Sequence, residues 1–61
     1  MQRCTTDYLK KALLDTQERV RDYTNYADAV DDRDLQKCFR EFAEVEGLHA
    51  KVLQDFITQF Q

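Results

Sequence analysis

The chain has 61 residues, a net charge of −3, one glycine and no proline. This length allows one small domain, residues 1–61, and the near absence of helix-breaking residues favours long helices. An acidic chain without a lysine or arginine cluster argues against nucleic acid or an anionic membrane as the main partner. No apolar run approaches the roughly 18 residues of a membrane span, and no signal peptide is visible. We therefore expect a cytoplasmic protein.

The first predicted helix covers residues of about 6–29. Its core-facing positions alternate in steps of four and three, which is typical of one helix face. These positions are Leu9, Leu13, Thr16, Val20, Tyr23, Ala27 and Val30. Asp15 and Arg19 stand four residues apart, and we expect them to form a weak ion pair.

A short break follows at about residues 30–32. Asp31 is predicted to cap the second helix, with Val30 and Leu35 spaced for a hydrophobic staple around it. A connection this short between two long amphipathic helices gives an antiparallel hairpin. Cys4 and Cys38 would then lie roughly 25 Å apart, so we expect no disulfide between them.

The second predicted helix covers residues of about 32–60 and carries a strong apolar stripe. Its large members are Leu35, Phe39, Phe42, Leu53, Phe56 and Phe60. In the middle, the same stripe falls on Glu46 and His49, with His49 near its centre. Burying both groups is costly unless each has a partner. Either they pair with each other and with neighbours such as Tyr23 and Thr16, or they bind a metal ion.

The two stripes are too wide for two helices to bury against each other. A monomer would expose a large apolar patch, which soluble monomers rarely do. We therefore predict an all-α fold in which two hairpins form a homodimeric four-helix bundle.

The pattern Glu-x-x-His, at Glu46 and His49, lies within the run AEVEGLHAKVL. Together with the helical patterning from Leu9 to Phe60, it resembles one hairpin of the ferritin-like superfamily, rubrerythrins in particular. A looser likeness is to ferritin-like spore-coat proteins. The resemblance implies that Glu46 and His49 are metal ligands. The donors that a dimer would offer suit one zinc ion or one mononuclear iron ion.

Hairpins of this family also supply a carboxylate from their first helix. Here the core-facing residue level with Glu46 is Thr16, which is not a carboxylate. Asp15 and Glu18 are the carboxylates close to it in the sequence, so they are the possible additional ligands. Asp15 lies near the edge of the stripe, whereas Glu18 points roughly the opposite way. A dimer would offer two copies of Glu46 and His49, which suits one metal ion better than a di-iron centre. We therefore lean against an enzyme; the resemblance would otherwise imply an iron-dependent oxidoreductase.

Two functional hypotheses follow. The first is a small metal-binding ferritin-like protein. The second is a non-catalytic structural or protein-interaction bundle, in which the metal site is vestigial and Glu46 and His49 form a polar layer. A helix-turn-helix DNA binder fits the hairpin but not the acidic charge.

Overall fold

In the computed structural model, which describes residues 5–60, the chain forms two packed helices. Helix α1 spans Thr5–Ala29 and helix α2 spans Arg33–Phe60. The predicted all-α hairpin is confirmed, while the pairing of two hairpins stays a prediction. Neither described helix is long and apolar enough to cross a membrane. Cys4 lies outside the described residues, and Cys38 is a half-buried free thiol.

Helix α2 is capped one residue later than predicted. Oδ1 of Asp32, not of Asp31, accepts a hydrogen bond of 2.8 Å from the backbone N–H of Leu35, the usual N-cap contact. The backbone N–H of Val30 bonds the carbonyl of Tyr26 and closes the last turn of α1, so the turn begins after Val30. With Asp32 as the cap, Gln36 and not Leu35 stands four residues after the cap, at the position of the predicted hydrophobic staple. Its side-chain amide donates a hydrogen bond of 2.7 Å to the backbone carbonyl of Val30.

The buried line of α2 is rotated from the predicted stripe. We call the contact between the helices the seam, and its α2 positions are buried or half-buried. They are Gln36, Phe39, Ala43, Glu46, Ala50, Leu53 and Ile57. The prediction that His49 lies at the centre of the buried line is therefore wrong for the hairpin. Small alanines suit a close contact between two helices, and the bulkier flank of the stripe turns outward.

An aromatic cluster closes the turn end of the seam. The ring of Tyr23 stacks on Phe39 at a centroid distance of 6.1 Å and meets Phe42 edge-on at 5.5 Å. Tyr26 also meets Phe39 edge-on, at 5.5 Å. Within residues 5–60, the hydroxyl of Tyr23 makes no hydrogen bond to Glu46, so Tyr23 acts through packing rather than through the predicted polar contact.

One side of α2 keeps an apolar line that the hairpin leaves uncovered. We call this line the open face; it consists of Phe42, Val45, His49, Val52 and Phe56, spaced by three and four residues. Its four apolar members are 44–52% exposed. Ala27 and Ile57 are the only buried hydrophobic residues in the described part. The molecule is 10 Å thick in its thinnest direction, about the diameter of one helix, so it forms a single layer.

Candidate functional site

Glu46 connects the two helices at the seam, where its side chain is 14% exposed. Its Oε2 accepts a hydrogen bond from Nε of Arg19 on α1. Its Oε1 accepts one from Nδ1 of His49, one helical turn later, at 2.9 Å. Nη2 of Arg19 also donates to Oγ1 of the buried Thr16 at 3.3 Å. We call these three charged or titratable residues the Arg19–Glu46–His49 network.

The network keeps Glu46 ionised. The hydrogen bonds from His49 and Arg19 lower the pKa of Glu46 and outweigh the partial burial, which raises it. The same carboxylate raises the pKa of the Arg19 guanidinium. An ionised carboxylate only accepts hydrogen bonds, so Nδ1 of His49 carries the hydrogen. In the neutral imidazole, Nε2 then holds the lone pair that can bind a metal ion.

His49 lies between two shallow cavities, with its side chain 62% exposed. The first, of about 420 Å³, is lined by Tyr23, Phe42, Val45, Glu46 and His49. The second, of about 360 Å³, is lined by Thr16, His49, Val52 and Leu53. The surroundings are mainly apolar, so a partner that covers them would place the imidazole in a site with little water.

Asp15 does not join the network. Its two oxygens bind Nζ of Lys11 at 2.7 and 2.8 Å, so the predicted Asp15–Arg19 pair is wrong. Lys11 is as close along the helix to Asp15 as Arg19 is. The carboxylate of Glu46, which is the less exposed of the two, offers Arg19 the better-shielded partner. Glu18 is exposed and makes no ion pair within residues 5–60.

One hairpin by itself offers too few donors for a metal ion. Among the described residues, no group of three or more His, Cys, Asp or Glu side chains could hold a metal ion. Glu46 and His49 contribute one carboxylate and one imidazole, whereas a tetrahedral site needs four donors. A second hairpin across the open face would supply the other two. The residues therefore fit a metal ion on the condition that two hairpins share it.

The sequence predicted that Arg19 pairs with Asp15, whereas in the structure it pairs with Glu46. It lies three residues after Thr16, which was placed level with Glu46, so the two share one side of α1. That spacing and the length of an arginine side chain were the available signal. Arg19 thus brings a cation to Glu46 from the helix that was expected to supply a carboxylate.

The comparisons with known proteins agree with this architecture. The family model described as Rubrerythrin matches residues 7–61, which include almost all of both helices and the whole network. No curated protein and no solved structure gives a significant match. Since the family model covers most of the chain, the chain belongs to the rubrerythrin family.

Proposed function

We propose that two copies of this hairpin pair through their open faces into a ferritin-like four-helix bundle that binds one iron or zinc ion. The observation that carries the proposal is the hydrogen-bonded Glu46–His49 pair set at an uncovered apolar surface. Membership of the rubrerythrin family, whose domains typically bind iron, supports a metal as the ligand. A cytoplasmic location is part of the proposal.

The uncovered apolar area argues for a second copy as the partner. Phe42, Phe56, Val45 and Val52 of the open face are each about half exposed, and so is Phe60 beyond its end. Covering an aromatic side chain buries about 150–250 Å², so these five residues leave on the order of 400 Å² open. That is about half of the roughly 800 Å² per partner in a standard interface. In a homodimer, a two-fold axis would bring this apolar line against the same line of the second copy.

Each chain would contribute one nitrogen and one oxygen to the shared site. The imidazole of His49 would be the nitrogen donor, and the carboxylate of Glu46 would be the oxygen donor. The hydrogen bond between them holds the two groups together in the metal-free protein and would open so that both reach the same ion. Bound iron would supply redox chemistry and bound zinc a Lewis acid.

The change His49→Leu tests the metal proposal. We expect it to abolish metal retention, because it removes the nitrogen donor of both copies. The measurement is metal content by elemental analysis of protein purified without chelator, followed by titration with zinc. Gln54→Leu, which places the same apolar group at an exposed position of α2, is the control and should retain metal. Unchanged metal content in the His49 variant would refute the proposal.

A second function is favoured by one specific observation. Arg19 already neutralises Glu46, and no buried side-chain nitrogen or oxygen in the described part lacks a hydrogen-bond partner. The network can therefore serve as a polar layer that sets the register of a structural or interaction bundle. If the network serves only as this polar layer, His49→Leu should leave the free energy of unfolding, measured in chelator, unchanged or higher. Neither the unmodified protein nor the variant should then bind zinc. Metal retention by the unmodified protein separates the two functions.

A further inference from the structure

Arg19 bonds one of the two carboxylate oxygens that Glu46 would offer to a metal ion. Its guanidinium is charged at every accessible pH, and it bonds Oε2 of Glu46 while His49 bonds Oε1. We propose that Arg19 is an internal competitor of the metal, which holds Glu46 in the metal-free protein and must release it when metal binds. This inference rests on the proposed function and concerns the regulation of the same site.

The geometry allows the exchange without a change of backbone. The Arg19 side chain is 48% exposed, so it can swing into water, whereas Glu46 is 14% exposed and is held at the seam. Thr16 accepts a hydrogen bond from Nη2 and positions the guanidinium over the carboxylate. The nearby Asp15 is engaged by Lys11 and does not draw Arg19 away.

Arg19 and a divalent cation compete for the carboxylate of Glu46. Two positive charges a few ångströms apart repel, and the repulsion grows where a second hairpin excludes water. Release of Arg19 is therefore a step that metal binding must drive. In the metal-free protein, the same contact lets the carboxylate lie at the seam with its charge compensated. The affinity for metal then reflects the difference between the metal–Glu46 and Arg19–Glu46 interactions.

Removing the competitor should tighten metal binding. We expect Arg19→Gln to bind zinc roughly tenfold more tightly than the unmodified protein, since each of two copies loses a half-exposed ion pair. Arg19→Lys keeps the charge but not the planar fork, and should bind zinc with intermediate affinity. Arg21→Gln removes the same charge from an exposed residue of α1 that has no ion pair among residues 5–60. It should stay within about twofold of the unmodified protein.

The measurement is isothermal titration of each full-length protein with zinc, after circular dichroism has confirmed equal helicity. A second readout follows the Nε–H resonance of Arg19 by NMR, which should shift in the unmodified protein when zinc displaces its hydrogen bond. Equal zinc affinity of the Arg19→Gln and unmodified proteins, with a static Nε–H resonance, would overturn the competitor and leave the metal proposal intact. Weaker binding by Arg19→Gln would also overturn it. Failure of every variant to bind zinc would overturn both.

Discussion

The seam and the open face lie side by side on α2 but differ in what one chain can cover. The seam carries small alanines, the ion-paired Glu46 and the buried Ile57. The open face carries large side chains such as Phe42 and Phe56, each close to half exposed. One hairpin therefore covers the first surface and leaves the second exposed, and Glu46 and His49 lie at the border between the two.

The largest expected effect is at the seam. Ile57→Ala should lower the free energy of unfolding by about 3 kcal/mol, because it leaves a cavity at one of the few buried apolar positions. Leu14→Ala, at a residue 64% exposed, should stay within about 0.5 kcal/mol. Urea denaturation at one fixed protein concentration measures both. Equal losses would show that the seam is not the main source of stability.

The open face is tested by placing a charge on it. Val52→Asp should weaken self-association on the order of a hundredfold or more, since an unpaired carboxylate would be buried between two copies. Leu14→Asp adds the same charge to α1 at an exposed residue that lines neither cavity and should leave association within about threefold. Sedimentation velocity over a range of concentrations measures the association. A Val52→Asp protein that still dimerises would remove the open face as the interface.

A smaller effect concerns pH and the border residue Glu46. Because the folded state lowers the pKa of Glu46, this carboxylate contributes stability above the ordinary glutamate pKa of about 4.3. That contribution is lost as the pH falls through the lower folded value. In chelator, the unmodified protein should therefore be more stable than Glu46→Gln at pH 6 and 7, and the difference should shrink below about pH 4.

The control for this pH series is Glu44→Gln, at an exposed residue without an ion pair in the described range. Its stability should follow that of the unmodified protein across the series. Urea denaturation at each pH gives the comparison. A difference between the unmodified protein and Glu46→Gln that stays constant down to pH 3 would mean that the Arg19–Glu46–His49 network does not hold the carboxylate ionised.

The smallest effect is expected at Gly47, an exposed residue of α2 that belongs to neither surface. A Cβ at Gly47 would meet no atom within 4 Å, so Gly47→Ala should raise the free energy of unfolding by about 0.5–1 kcal/mol through helix propensity. Self-association should not change. Thermal unfolding followed by circular dichroism measures the gain. A loss of stability would instead place a partner's backbone close to Gly47.

The sequence was sufficient to predict the hairpin, because steps of three and four residues on both helices require α-helical faces. It also predicted that Glu46 and His49 lie together, since residues three apart share a helix side. The rotation of α2 was not predictable in this way: Phe39, Glu46 and Leu53 fit two adjacent stripes, and packing against α1 selects the one that includes Ala43 and Ile57.

The partner of Arg19 was missed for a related reason. Sequence spacing identifies neighbours on one helix, such as Asp15, but contacts between helices depend on rotation and register. Arg19 reaches Glu46, 27 residues away along the chain, because both lie at the same level of the seam. Long-range contacts of this kind require the packed structure.

Native mass spectrometry of protein purified without chelator or a metal-affinity tag tests the central claim most directly. The claim is that two open faces meet and share one metal ion between the Glu46–His49 pairs. We expect a dimer whose mass exceeds that of two chains by one iron or zinc ion. A metal-free monomer that stays a monomer after iron or zinc is added would contradict the account.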